Sequence, residues 1–533
     1  MEGKSWEVGE SSPRPGHGRY WPGKAVGVVL GNEAEAGAGA EAGRALRRAV
    51  PRASHAAWEP AGGRSPLDLL AEFDRGRLPD LMPIRHARML ASPFAFLRGT
   101  PGLMAHDLAT TPGHRDQGAG LRRRPPAQLR AVRHPERNLS FGLNDFDETL
   151  PAPWEWDVKR LATSFVVAAR TAGFDQAVGR RAAQAAVRTY RNQLASYAGM
   201  RALEVWYSRV DASEIITLSK GRRRRAVTDR LARAQHHTNL DALPRLTAPA
   251  GDGRRFLEDP PLLTHVEECH PGWVEEIMAR YRVSLSDERR QLLVRLQPHD
   301  AARKVVGVGS VGTRCYVVLL LSSRHDDPLL LQVKQATASV LERYAGRSRY
   351  RHPGRRVVNG QRLLQTAGDI FLGSTSDGAA DYYVRQLWDM KGSVNLDTLD
   401  PADLAPYGRL CGWVLARAHA RSGDGAAISG YLGTGDRFDR AVANFAAAYA
   451  DQTEADYAAF TRARGSAPAE GVRVAARTNG KETEDDPVDP GHVGVRGHAG
   501  VHAGARVHRP GAAPSRPPGP LRIRSTSAWR VST

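Results

Sequence analysis

The chain is poor in cysteine, with three in 533 residues (Cys269, Cys315 and Cys411). They are far apart and odd in number, which excludes a disulfide framework or a Cys-rich zinc site and predicts buried, reduced thiols in a cytoplasmic protein. Long apolar runs are also missing. The longest of note, Val317–Leu321, suits a buried strand and falls far short of the roughly 18 residues of a membrane span. The start, MEGKSWEVGESSPRPG, lacks the basic and apolar regions of a secretory signal. The tail after residue 500 lacks acids altogether in its last thirty positions, and contributes to a net charge of +19. The rest of the excess sits at Arg122–Arg124 with Arg130 and Arg133, and at Arg222–Arg225. None of these places interleaves aromatics with base-reading groups, which argues against sequence-specific nucleic-acid binding.

What is present divides along the chain. Residues 1–60, rich in Gly, Ala, Arg and Glu, have little apolar periodicity and are expected to be disordered. Residues 61–215 read as a helical lobe: an apolar face at Leu67, Leu69, Leu70 and Phe73, then Met82–Leu97, a strand Phe141–Phe146, and helices Val158–Ala172 and Ala182–Ala195. Residues 216–299 are a basic, helical connector. Over 300–395, short β-branched runs (Cys315–Leu321, Leu329–Val333, Tyr382–Leu387) punctuated by Gly, Pro and Asp predict a small antiparallel sheet. Helices Leu404–Ala420 and Phe438–Tyr449 in residues 396–465 return to the helical lobe, and periodicity ends in the tail, 466–533. The fold class is α+β.

Gly307, Gly309 and Gly312, with Ser310 between them, form G-x-G-x-x-G in V-G-V-G-S-V-G-T-R. Such a loop lets backbone N–H groups approach phosphate oxygens closely. A strand follows it, not a helix, so a dinucleotide-binding turn is excluded. The next strand ends L-Q-V-K at Lys334, the arrangement of a kinase-like small lobe. In it Lys334 contacts the α- and β-phosphates of ATP, and Glu342, on a helix Thr337–Tyr344, holds the lysine by an ion pair. Asn144-Asp145-Phe146-Asp147-Glu148 ends the strand near residue 141. Its acids offer hard oxygens to Mg²⁺, with Asp145 or Asp147 as ligand. Asp157, opening the next helix, is placed to cap backbone N–H groups and to brace the site. His86, His265 and His419 stand isolated in sequence and read as structural or surface residues.

Five motifs carry a family resemblance: R-H-A-R-M-L-A-S-P-F-A-F-L-R-G (Arg85–Gly99), N-D-F-D-E-T-L-P (Asn144–Pro151), P-W-E-W-D-V-K-R-L, V-G-V-G-S-V-G-T-R and D-Y-Y-V-R-Q-L-W-D-M-K-G-S (Asp381–Ser393). Together they resemble the bacterial family catalogued as domain of unknown function 2252, over about residues 45–460. The family's pattern includes a motif like C-G-D-A-H-x-x-N-F-G, similar to the catalytic loop of aminoglycoside-type phosphotransferases. Here G-L-R-R-R-P-P-A-Q-L-R (Gly120–Arg130) stands in its place. One permissible coding of that stretch, read one base later, spells A-C-G-D-A-H-L-L-N-F. Residues 114–134 are therefore read as translated out of frame, and the tail from about 466 as a second such stretch. The resemblance implies ATP and Mg²⁺ as cofactors and an unknown small-molecule or protein acceptor, with phosphotransfer impaired in this copy; a non-catalytic nucleotide-binding scaffold is the alternative. The Gly-rich loop follows the carboxylate loop by about 160 residues, and L-C-G-W-V-L-A-R-A-H (Leu410–His419) is similar to the helix before a kinase catalytic loop. A circular permutation accounts for both.

Overall fold

The computed structural model describes residues 33–113, 129–133, 139–218, 221–236, 239–251, 253–322, 327–365, 368–387, 392–393 and 400–465. The chain divides into two units, Met1–Pro487 and Val488–Thr533, and the second lies outside the described residues. In chain order the helices and strands begin with α1 (Glu33–Ala49), α2 (Pro66–Phe73), α3 (Met82–Leu90), α4 (Pro93–Gly99) and α5 (Pro101–Leu108). Strands β1 (Leu129–Arg133) and β2 (Leu139–Leu143) precede α6 (Trp154–Thr171), α7 (Gln176–Ala198), α8 (Ala202–Tyr207), α9 (Ala212–Leu218), α10 (Gly221–His236) and α11 (Asn239–Leu246). Next come β3 (Thr247–Ala250), β4 (Gly253–Phe256), β5 (Leu263–Thr264), α12 (Pro271–Val283) and α13 (Asp287–Val294). The remaining elements are β6 (Leu296–Lys304), β7 (Cys315–Ser322), β8 (Pro328–Ala336), α14 (Glu342–Ala345), α15 (Pro353–Leu364), β9 (Gly373–Ser376), β10 (Asp381–Gln386), β11 (Gly392–Ser393), α16 (Pro401–Ser422), α17 (Gly425–Leu432) and α18 (Arg437–Arg464). The protein is α+β, mostly helical with small antiparallel sheets. Among the described residues no helix is long and apolar enough to cross a membrane.

The main sheet has six antiparallel strands in the order β5-β6-β7-β8-β10-β9. Strand β7 shows why its sequence is unbroken apolar. Tyr316, Val318 and Leu320 point into a cluster with Trp273, Ile277 and Tyr281 of α12. Val317, Leu319 and Leu321 point the other way, onto Leu246 and Phe256. Alternate side chains face opposite sides of a strand, so a strand covered on both faces reads as a continuous greasy run. The second body is a bundle of α6, α7, α16 and α18 around the largest core cluster. Helices α7 and α16 meet at Gly408 and Gly412, where an added Cβ would fall 2.7 Å from the Ala182 carbonyl oxygen and 2.1 Å from that of Ala186. Two glycines four residues apart thus let the backbones touch.

Several expectations change. Residues 33–60 are not disordered: α1 packs on α17, with Gly43 and Gly430 at the contact, and His55 is fully buried. Within 114–134, Leu129–Arg133 pairs antiparallel with β2 and β11; the rest, with Arg122–Arg124, lies outside the described residues, as do 1–32 and 466–533. The helix expected over Thr337–Tyr344 is a single turn, α14, and the real helix of that region, α15, begins eleven residues after Glu342. The β3–β4 hairpin falls within the stretch read as a helical connector, where Gly251 takes a positive φ (59°) and closes a tight turn. Among the three cysteines, Cys315 and Cys411 are buried and Cys269 half-buried, and none is in a disulfide.

Candidate functional site

The cross-strand register builds the site. Lys334 on β8 lies opposite Cys315 on β7 and opposite Tyr383 on β10. Residues directly opposite share a face, so the lysine and the tyrosine project together from one end of the sheet. That end meets the loop after β2. Lys334 Nζ forms an ion pair with Asp147 Oδ2, and the Tyr383 hydroxyl donates to Asp147 Oδ1 at 2.8 Å. Ser310 Oγ, in the Gly-rich loop between β6 and β7, lies 3.5 Å from the same carboxylate. The sequence thus named three of these four residues separately, and the fold brings them to one point.

The carboxylate loop is fixed by Arg356 of α15. Its buried guanidinium donates to the Asp147 carbonyl (2.7 Å), the Thr149 carbonyl (2.8 Å) and the Thr337 carbonyl (2.8 Å). Glu148 turns away from the cluster and accepts from Ser339 Oγ (2.9 Å) and Val340 N–H (2.8 Å). Glu342 does likewise, accepting from Ser339 N–H at 3.2 Å. The ion pair expected between Lys334 and Glu342 is made with Asp147 instead, because the turn of α14 is too short to carry its acid back to β8. Asp145 is half-buried at the end of β2, beside the buried Asn144.

The Gly-rich loop is held from behind by arginines of the α3 region. Arg88 Nη1 donates to the Gly307 carbonyl (3.1 Å), Arg85 Nη1 to Val308 (3.1 Å) and Arg77 Nη1 to Val311 (2.7 Å). In a trans peptide the N–H points opposite to the C=O. Drawing these carbonyls toward the arginines therefore directs the N–H groups of Val308, Gly309 and Gly312 to the other side. Gly307 (φ 47°) and Gly312 (φ 89°) take left-handed conformations that explain their identity. Gly309 has neither a positive φ nor a packing reason: an added Cβ would meet only the Arg98 carbonyl, at 3.6 Å.

Burial alone would raise the Asp147 carboxyl, but the Lys334 charge, hydrogen bonds from Lys334 and Tyr383, and the Arg385 charge outweigh it and hold it down at about 2. Burial likewise opposes the charge on Lys334, and Asp147 more than restores it, so the lysine is raised. A carboxylate lowered on folding contributes stability that is present above its unfolded pKa of about 3.9 and lost as pH falls toward its folded value. Urea unfolding of the wild type and Asp147→Asn should therefore differ most above pH 5 and converge between pH 4 and pH 2. A gap that stays constant through that window would show that the pair is not ionised as drawn.

Asp157 does not cap its helix. Helix α6 starts three residues earlier, after Pro153, and Asp157 sits buried in its first turn. Its Oδ2 lies 3.3 Å from Nε2 of His419, whose Nδ1 is 2.7 Å from the Tyr190 hydroxyl. This buried Asp–His–Tyr row ties α6, α16 and α7 together. His265 and His86 are not isolated either. His265 lies between Glu258 and Asp300 (3.0 Å to Asp300), and His86 is 3.8 Å from Asp74. Among the described residues no group of three or more His, Cys, Asp or Glu is set to hold a metal ion. One or two carboxylates suffice for Mg²⁺ when a phosphate supplies further oxygens, and Asp147 and Asp145 are the residues that would do so. Sequence reading missed Tyr383, Arg356 and the arginines behind the glycines. Arg85, Arg88 and Tyr383 lay within the quoted motifs, but motifs do not say which residues touch.

Fold and site together define an α+β protein with a Gly-rich hairpin β6–β7, a lysine on the strand that follows it, β8, and a carboxylate loop clamped beside them. The chain belongs to the family described as uncharacterized proteins conserved in bacteria (DUF2252), whose model matches residues 77–463. No curated protein and no solved structure matches it.

Proposed function

We propose that the Lys334–Asp147 cluster is a kinase-like nucleotide site for ATP with Mg²⁺, and that phosphotransfer by this copy is impaired. The convergence of Ser310, Lys334, Asp147 and Tyr383 carries the reading. In kinase-like sites a glycine loop covers the phosphates, a lysine on the third strand contacts them, and an aspartate holds the metal. The same three parts meet here, the glycine loop and the lysine from neighbouring strands and the aspartate from a stretch more than 150 residues earlier. Gly309 adds support: its missing side chain leaves room that no described residue fills. Lysine and aspartate neutralise each other here; Lys334 would hold the phosphates and Asp147 the metal ion of a magnesium nucleotide, which would supply the transferable phosphoryl group and neutralise its charge. The order of the parts along the chain fits a permuted kinase-like fold.

The impairment follows from the sequence at Gly120–Arg130, which has no counterpart of the family's acidic loop. One structural observation agrees. Lys159 is fully buried and donates to Thr111 Oγ1 at 2.9 Å, two residues before the last described position ahead of this stretch. Among the described residues it has no carboxylate within ion-pair distance. Resequencing the gene and assaying both versions tests this part. The frame-corrected chain should transfer phosphate from ATP, and the present chain should not. Equal activity, or an unshifted gene encoding Arg122–Arg124, would remove the impairment; transfer by neither would favour the non-catalytic scaffold.

A further inference from the structure

A second polar constellation lies where α16 meets the C-terminal end of α15. Arg417 and Arg421 sit four residues apart on α16, so their side chains emerge on one face of the helix. Both reach the C-terminal end of α15. Arg417 Nη1 donates to the Leu364 carbonyl (3.2 Å) and its Nε to the Ser208 carbonyl, while Arg421 Nη1 donates to the Gln365 carbonyl (3.1 Å). Capping a helix end accounts for those contacts. It does not account for two guanidinium groups where one would serve. Arg417 is only 2% exposed, and among the described residues neither its Nη2 nor Arg421 Nε has a hydrogen-bond partner. Among the described residues no carboxylate pairs with either arginine. A buried cation without a counter-charge costs several kcal/mol, and the two like charges also repel; burial and this mutual repulsion both lower the Arg417 guanidinium, to about 9.

Arg421 is half-buried, and its Cζ lies 3.8 Å from the ring centre of Trp206, which is 45% exposed. Leu203 and Tyr207, on the same short helix α8, are exposed as well. An excess of buried positive charge, a half-buried guanidinium stacked on tryptophan, and exposed apolar side chains on the same short helix are the parts of an oxyanion site for a small organic molecule. We propose that Arg421, with Trp206 over it and Arg417 behind it, binds the phosphate or carboxylate group of a small-molecule ligand. The Gln365 side chain links this place to the nucleotide cluster, because its Nε2 donates to the Leu143 carbonyl (3.3 Å), two residues before Asp145. That the ligand is the phosphoryl acceptor rests on the nucleotide reading above; the anion binding does not.

The full chain should be titrated with inorganic phosphate and, separately, with succinate, at ionic strength held constant with sodium chloride. Tryptophan fluorescence and the thermal midpoint are followed in the wild type, Arg421→Gln, Trp206→Phe and, as a surface-charge control, Arg48→Gln. The proposal expects a saturable response to at least one anion in the wild type and the control, weakened at least tenfold in Arg421→Gln. In Trp206→Phe the thermal shift should persist while the fluorescence change is lost. Which anion responds assigns the group. No saturable response to either, or one that Arg421→Gln retains in full, overturns the site. Should Arg421→Gln fail to fold, a fluorescence change surviving in Trp206→Phe overturns it, and its loss there supports it. No nucleotide is present, so failure here and failure of the nucleotide site are read separately.

Discussion

Replacing Lys159 by methionine should stabilise the protein at pH 6, and the gain should disappear by about pH 10.5. Lys159 is fully buried in α6, and burial lowers its ammonium to about 7, with Glu155 offsetting only part. In the unfolded chain a lysine titrates near 10.4. Between these values the unfolded state holds a proton that the folded state has lost, so wild-type stability rises with pH across that window. Below pH 7 the penalty is complete, on the order of 4 kcal/mol. Methionine has similar length, no charge, and suits an irregular core gap. It forfeits the hydrogen bond to Thr111 and the contact with the Phe445 ring, 4.7 Å from Nζ, together about 2 kcal/mol. The expected net gain at pH 6 is therefore about 2 kcal/mol, turning to a loss of about 1 kcal/mol above pH 10.5, where the folded amine is neutral and only the hydrogen bond to Thr111 is forfeited. Denaturant midpoints across pH 6–10.5 measure it, and a difference independent of pH would show that the lysine is not desolvated as described.

Arg64→Ala should lose about 3–5 kcal/mol. The Arg64 guanidinium donates to Asp107 (2.7 and 2.9 Å) and to Asp456 (2.8 Å to Oδ1, with a second bond to Oδ2), and all three side chains are almost wholly buried. Tyr449 also donates to Asp107 at 2.6 Å. Removing the cation leaves two carboxylates facing each other without a counter-charge. The variant Arg64→Ala/Asp107→Asn/Asp456→Asn should recover much of the loss, because no buried charge then remains. A small loss in the single variant would mean that water reaches the network in solution.

Much of the fold was readable because its signals are local. The doubly buried β7 announced itself through Val317–Leu321, and the bundle helices through their apolar periodicity. Helix α15 was missed because it carries three polar or charged residues outward and is preceded by basic chain; tertiary packing against β9 and β10 secures it. Helix α1 was missed because alanine and glycine bury little area and give weak periodicity, yet permit the close approach to α17. At the site the asymmetry is the same. Gly307–Gly312 and Lys334 could be found from their spacing, and Asp147 from its acidic neighbours. That Asp147, rather than Glu342, pairs with Lys334 is a contact across 187 positions of sequence, fixed by where Arg356 clamps the loop. The Arg85 and Arg88 contacts span more than 200 positions, and no pattern within either segment encodes them.

The most direct test of the nucleotide site is isothermal titration of Mg²⁺·ATP into the wild type, Lys334→Ala and Gly309→Val. Gly309 is the sharper probe, since its backbone conformation and surroundings tolerate a side chain while the proposed phosphate position does not. The wild type should bind saturably, Lys334→Ala should bind at least tenfold more weakly, and Gly309→Val should not bind while keeping its unfolding midpoint. No binding by the wild type, or undiminished binding by Gly309→Val, would contradict the site.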